Sequence, residues 1–319
     1  MMISFYSKFK TGLIVGINKG WSGFVWMIKI LVPISFFTVL LDYSGWINKI
    51  DFLLEPAMNL LSLPPVAALP IISGILTGIY GGIASMVMLP LSQDQMTLIA
   101  IFLLISHALP QEGIIQGKSG IHPIKITLFR LTASVVTVIV AAQFIGAESS
   151  EHVARDAFSP TSGPFLTVLK TWCIETAYLS FKIFLIITSL MILLGMMRSF
   201  DLMPHIVRAM NPLLKIIGLD RRVGILWLTA GIFGISYGAA VIVEEVREGN
   251  LTREELERLH FSIGINHAMI EDPALFLPLG ISPLWLWIPR FVAAIIAAHL
   301  LGLWQRIRRR KIRSLKFEV

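Results

Sequence analysis

ISHALPQEGIIQGKSGIHPIKITLFRLTA, running from Ile105 to Ala133, lies without gaps on INHAMIEDPALFLPLGISPLWLWIPRFVA, from Ile265 to Ala293. Eight of the 29 positions are identical: Ile105/Ile265, His107/His267, Ala108/Ala268, Gly120/Gly280, Ile121/Ile281, Pro123/Pro283, Arg130/Arg290 and Ala133/Ala293. Average composition would yield about two such identities. Half of them are His, Gly, Pro or Arg, so shared apolar character does not account for the match. Glu112 also stands opposite Asp272. Upstream, Ala57-Met58-Asn59 recurs as Ala209-Met210-Asn211, and Gly78-Ile79-Tyr80-Gly81-Gly82 resembles Gly234-Ile235-Ser236-Tyr237-Gly238. Each half reads in the same order: long span, short amphipathic segment, glycine-broken apolar stretch, apolar segment ending at the His motif, and a span that opens with Pro and carries Arg. Duplication is the simplest account.

The repeat sits in a chain of 319 residues with 55% apolar and 15% charged residues, too little polar cover for a soluble surface. Phe24–Leu41, Ile126–Phe144, Phe181–Met197 and Leu284–Leu303 are apolar runs long enough to cross a hydrocarbon core of about 30 Å. The first follows Lys8, Lys10 and Lys19 like a signal peptide, but is too long and lacks a small-x-small cleavage pattern, so it is expected to remain. A single cysteine, Cys173, excludes an intrachain disulfide and a Cys-rich metal centre. The net charge of +7 is concentrated in the tail from Arg306 to Lys316, directly after a span. That placement sets topology and favours anionic lipid headgroups; no motif for nucleic acid accompanies it.

Two readings of the glycine-rich stretches, Ala68–Pro90 and Val223–Val243, predict different topologies. If both cross the membrane, the basic loop Arg198–Arg222 falls outside, against the positive-inside tendency. If both are re-entrant hairpins, each half crosses three times. The amino terminus, Lys118–Lys125, Arg198–Arg222, Glu244–Arg258 and the basic tail then fall inside, and the acidic linker around Glu148, Glu151 and Asp156 outside. An odd number of crossings makes the halves inverted repeats. The expectation is an all-α integral membrane protein of two inverted repeats, each with about three transmembrane helices, an interfacial helix and a re-entrant helical hairpin. It divides into 1–148, a linker 149–164 and 165–319, with both termini cytoplasmic in the inner membrane. Glycines that merely let straight spans pack closely are the alternative.

With these motifs in view, the chain resembles the nucleoside-recognition, or gate, domain shared by concentrative nucleoside transporters, the membrane part of bacterial ferrous-iron transporters and the spore maturation membrane proteins. Gate-like units fall at about residues 50–145 and 205–305. Leu53–Ser62 and His205–Ile217 match the interfacial helices, the glycine stretches the hairpins, and Met96–Gly113 and Glu254–Pro273 the broken helices. The resemblance implies alternating access, with a core sliding against a scaffold, and a homo-oligomer. The gate-span cysteines of the iron transporters have no match here, and no nucleoside-binding signature can be placed residue by residue.

Candidate ligand-binding residues are His107, Gln111, Glu112, Asn266, His267, Glu271 and Asp272, with Arg130 and Arg290. A helix would place His107 with Gln111, and His267 with Glu271, on one face. Breaks at Pro110 and Pro273 would leave carbonyls without helical partners, suited together with imidazole and carboxylate groups to a proton or cation. The histidines alternatively pin the break by hydrogen bonding. Each arginine, inside an apolar span, needs a partner: Glu112 and Asp272, or an anionic group on the solute. Hairpin tips would present Thr77, Gly78, Tyr80, Gly81 and Gly82, and Gly234, Ser236, Tyr237 and Gly238. These features point to a secondary transporter of a small polar or anionic solute, with a proton as coupling ion. The alternatives are a divalent-metal permease using His107, Glu112, His267, Glu271 and Asp272, or a membrane assembly protein. No cofactor or enzymatic motif is visible.

Overall fold

A computed structural model describes residues 2–145, 164–202, 205, 209, 216, 219 and 221–317. All regular structure among them is helical. The helices are α1 Met2–Tyr43, α2 Trp46–Leu60, α3 Ala68–Thr77, α4 Ile79–Met86, α5 Gln93–Ser106, α6 Leu109–Lys118 and α7 Pro123–Ile145. They continue with α8 Phe165–Ser199, α9 Arg221–Phe233, α10 Ile235–Arg247, α11 Arg253–Ile265, α12 Glu271–Phe276 and α13 Pro283–Phe317. Five stretches are long and apolar enough to cross a membrane: Phe5–Tyr43, Gln93–Lys118, Pro123–Ile145, Phe165–Ser199 and Pro283–Arg308. The four apolar runs quoted above fall inside four of them, and the fifth is the broken pair α5–α6. The equivalent helices α11 and α12 are separated by five residues, Asn266–Ile270, and are not among these five stretches. The expected linker 149–164 and most of the second interfacial segment, His205–Ile217, lie outside the described residues.

The long helices turn a soluble protein's pattern inside out. On α7 the buried face is Ile126, Arg130, Ser134, Val138 and Ala141, while Leu128, Val136, Val140 and Phe144 are exposed. Such a helix puts its ionisable and hydroxyl groups toward protein and its apolar side chains toward lipid.

α1 and α8 pack antiparallel along most of their length. Tyr43 stacks near Phe165 at one end and Phe5 near Phe200 at the other, with ring centroids 5.3 and 5.2 Å apart. Trp172 Nε1–H donates to Ser35 Oγ at 3.1 Å. The seam runs through Gly12, Gly16 and Gly20, one small residue per turn. A Cβ on Gly16 would lie 2.4 Å from the Ile192 Cα, so the two backbones touch where only glycine fits.

Both glycine-rich stretches fold back on themselves. In one continuous helix Ser73 and Ser85 would lie about 18 Å apart; here their Oγ atoms are 2.6 Å apart. A Cβ on Gly238 would likewise come within 2.3 Å of the Ala230 Cβ, eight positions earlier. The chain reverses at Gly78 (φ 98°, ψ −178°) and Gly234 (φ 83°, ψ 169°), conformations that an L side chain resists. α2 precedes the first hairpin and meets it at an 84° bend between Leu53–Leu60 and Pro65–Thr77.

α5 and α11 start alike. Ser92 Oγ accepts from Gln95 N–H and Thr252 Oγ1 accepts from Glu255 N–H, while each N3 side chain accepts from the N-cap backbone. These capping boxes stand 160 positions apart, extending the register of the repeat upstream. α7 and α13 each pack against both α5 and α11, so the arginine-bearing helices hold the two broken helices together.

Candidate functional site

Four helix breaks converge on one cavity of about 270 Å³. Two are the hairpin reversals at Gly78 and Gly234. The other two interrupt α5–α6 and α11–α12, and their location corrects the expectation from proline. The chain leaves the helix at His107 and Ala108 and again at Asn266–Ile270, while Pro110 and Pro273 sit inside the first turns of α6 and α12. Ala108 (φ 46°) and Ala268 (φ 44°) are left-handed, a state that costs an alanine about 1–2 kcal/mol. Tertiary bonds hold them there. Ala108 N–H donates to Gly74 C=O at 2.9 Å, and Ala268 N–H to Ala230 C=O at 3.2 Å. The missing Cβ of Gly78 faces the Ala108 methyl, and that of Gly234 the Ala268 methyl, each at 3.8 Å. Hairpin tip and helix break therefore fit as a pair in both halves. Because a break intervenes, His267 and Glu271 do not share a helical face.

Arg130 and Arg290, each at most 1% exposed, perform a task that spacing did not reveal: they satisfy the carbonyls freed by the breaks. Arg130 donates from Nε to Ile105 C=O (2.9 Å) and from Nη2 to His107 C=O (3.1 Å). Arg290 donates from Nε to Ile265 C=O (3.3 Å) and from Nη2 to His267 C=O (2.7 Å). The expected acid pairing holds on one side: Arg130 Nη1 lies 2.6 Å from Glu112 Oε2, whereas no ion pair joins Arg290 to Asp272 among the described residues. Trp287 Nε1–H takes the Met269 carbonyl at 2.7 Å.

His107 and His267 meet at the centre, Nε2 to Nε2 at 3.4 Å. Each ring turns Nδ1 to the carbonyl four residues back, Leu103 at 2.8 Å and Ile263 at 2.9 Å. Glu112 Oε1 lies 3.3 Å from both Nε2 atoms, and Asp272 Oδ2 lies 3.6 and 4.0 Å from them. Both histidines are buried, as is Asp272.

Of the residues singled out in the sequence, Thr77, Gly78, Tyr80, His107, Gln111, Glu112, Gly234, His267, Glu271 and Asp272 line the cavity, joined by Trp26, Ile79, Ala108, Ile235, Ala268 and Leu275. Trp26 packs edge-on against Tyr80. Gly81, Gly82 and Gly238 serve packing inside the hairpins instead, against Thr77, Leu103 and Ala230. Asn266 is buried as the first residue of the second break, and the side chains of Ser236 and Tyr237 are outside the described set. Arg130 and Arg290 stand behind the cavity wall. His260, absent from the sequence reading, forms a separate buried contact with Gln116 and Ser119.

Residues 24–147 match the family model described as Gate: Nucleoside recognition. Over 279 residues, 87% of this chain and 88% of the relative, the sequence is 25% identical to the uncharacterized membrane protein YvoD of Bacillus subtilis (strain 168). No solved structure matches the chain.

Proposed function

We propose that this multi-pass membrane protein, whose residues 24–147 are a nucleoside-recognition gate domain, is a secondary transporter that carries a small polar solute by alternating access. The observation that carries the reading is the convergence of four helix breaks, two from each half, on a cavity lined by ionisable groups in an otherwise lipid-covered bundle. Discontinuous helices supply backbone groups for a ligand at mid-membrane and the seams along which a core can move.

Reciprocal packing supports an inverted two-fold relation between 1–148 and 165–319. Gly12 lies against Gly195, and Ser35 bonds to Trp172. At an offset of 160, Gly195 corresponds to residue 35 and Trp172 to residue 12. In this reading the hairpins α3–α4 and α9–α10 enter from opposite faces of an inner membrane. The crossings are α1, α5–α6 and α7, then α8, α11–α12 and α13, with both termini cytoplasmic. Glu271 also lines a recess of about 60 Å³ with Lys19 and Arg198, a route from the cavity toward the basic side.

The cavity wall carries Glu112, Glu271 and Asp272 with two imidazoles and no Lys or Arg. That favours a neutral or cationic solute over the anionic one expected from Arg130 and Arg290, whose guanidinium groups are spent on carbonyls and Glu112. Its volume lies below the ~300–1,000 Å³ usual for drug-sized ligands, so the solute is small. Protons couple through His107 and His267, with no catalytic step. Uptake into proteoliposomes, screened over small polar solutes with and without a pH gradient, tests the reading. His107→Ala and His267→Ala abolish gradient-driven flux; unchanged flux with unchanged pH dependence in both refutes the coupling. A divalent-cation permease is the second reading, favoured by the mutual approach of His107, His267 and Glu112.

A further inference from the structure

We propose that His107, His267 and Glu112 form three corners of a tetrahedral site for a divalent transition-metal ion of the zinc class, bridging the two broken helices, with Asp272 beside the open fourth position. The case begins with proton placement. A carbonyl only accepts, so the Nδ1 atoms of His107 and His267, 2.8 and 2.9 Å from Leu103 C=O and Ile263 C=O, carry the ring hydrogens. A neutral imidazole so fixed presents a lone pair at Nε2. Both lone pairs face each other and the same carboxylate oxygen, Glu112 Oε1. With both rings neutral, three acceptors converge with no donor among them, an arrangement relieved by a proton on one Nε2 or by a metal cation between the three.

Distances identify the cation. The triangle formed by the two Nε2 atoms and Glu112 Oε1 has edges of 3.4, 3.3 and 3.3 Å. A tetrahedral ion with bonds of about 2.0–2.1 Å spaces its ligands by about 3.3–3.4 Å. An octahedral magnesium ion with similar bonds would space neighbouring ligands by about 3.0 Å, and it favours oxygen over imidazole. A proton shared by the two rings would draw the nitrogens into the ~2.7–3.2 Å hydrogen-bond range. The observed triangle fits the tetrahedral face.

Two further features fit. Asp272 Oδ2, buried and without a hydrogen-bond partner, lies 3.6 and 4.0 Å from the two Nε2 atoms, beside the fourth position that the three ligands leave open. The ligands are also held from behind. Backbone carbonyls fix both ring orientations and Arg130 Nη1 grips Glu112 Oε2, the outer support that metal-binding imidazoles and carboxylates need.

A bound ion occupies both Nε2 lone pairs and so displaces the coupling protons from His107 and His267, but the site stands independently of which solute the cavity carries. The purified full chain is titrated with Co²⁺ and Zn²⁺ in detergent. One equivalent of Co²⁺ is expected to bind with the intense visible absorption of tetrahedral cobalt and to be displaced by Zn²⁺. His107→Ala, His267→Ala and the double variant lose this phase. X-ray absorption on the unmodified zinc-loaded protein provides the check that needs no variant: two imidazole nitrogens with oxygen ligands at about 2.0 Å. An all-oxygen shell, no stoichiometric binding by the unmodified chain, or undiminished binding by a folded double variant overturns the proposal. A chain that carries solute but binds neither ion refutes this site alone; one that binds the ion but carries no solute refutes the transport reading alone.

Discussion

Replacing Arg130 by Met removes a charge while roughly keeping the side chain's length, and the surroundings of that side chain set the outcome. The substitution strips Ile105 C=O and His107 C=O of their donors and leaves Glu112 facing two imidazoles without its 2.6 Å guanidinium partner. Each unsatisfied buried acceptor costs about 1–3 kcal/mol, and breaking a buried ion pair from one side about 3–5 kcal/mol. The sum, roughly 5–11 kcal/mol, is comparable to a domain's whole stability of about 5–15 kcal/mol. Arg290→Met loses the same two kinds of carbonyl bond, to Ile265 and His267, but no acid pair, so roughly 2–6 kcal/mol is at stake. Arg130→Met should therefore be the more damaging by about 3–5 kcal/mol, and adding Glu112→Leu should recover most of that difference, because it removes the stranded charge. Equilibrium unfolding in mixed micelles measures all four proteins. Equal losses for the two arginine variants, together with no recovery on adding Glu112→Leu, would show that the Arg130–Glu112 pair contributes nothing and that the asymmetry between the halves is energetically empty.

Gly16→Leu should separate α1 from α8, since even a Cβ would sit 2.4 Å from Ile192 Cα; the expected result is a large fall in melting temperature in detergent, and a fall of a degree or less would contradict the backbone contact. Gly78→Val forces a β-branched side chain to φ 98° at the hairpin tip, and reconstituted uptake should be lost while the long helices persist by circular dichroism; uptake at the unmodified rate would separate the tip from the transport path. Ser92→Ala and Thr252→Ala each delete an N-cap acceptor and should each cost about 1 kcal/mol, additively in the double variant because the two caps belong to different helices; chemical denaturation of the single and double variants checks both the size and the additivity.

What could be read in advance followed from patterns that repeat. Apolar runs located the four unbroken spans, four clustered glycines implied that Ala68–Pro90 turns back, and the offset of 160 put His107 and His267 in equivalent places. Two misses were legible. Gly12, Gly16 and Gly20 stand at the four-residue spacing of a close helix seam, and Ser92-x-x-Gln95 repeats, at the same offset, the capping box that Thr252-Arg253-Glu254-Glu255 already announces. The rest was not encoded locally. Prolines drew the breaks to Pro110 and Pro273, but alanine in a left-handed state has no sequence signature, and Ala108 is held there by Gly74, more than thirty residues away. The arginines were matched to acids because acids stood at equivalent positions; that two backbone carbonyls accept from each guanidinium depends on where the breaks fall. Three-dimensional closure alone put Glu112 within 3.3 Å of both histidines.

The α1–α8 seam has a property that its glycines impose. Teeth spaced by one helical turn look the same after a shift of one turn, about 5.4 Å, so against the ladder Gly12–Gly16–Gly20 only Gly195, where a Cβ would meet Gly12 O at 2.4 Å, marks the alignment. The rest of the phasing falls to the flanks, where Phe5 meets Phe200, Ser35 meets Trp172 and Tyr43 meets Phe165. A ratchet of this scaffold by one notch would therefore have to unseat its aromatic ends and bring Met191 or Ser199 to the place that Gly195 holds against Gly12.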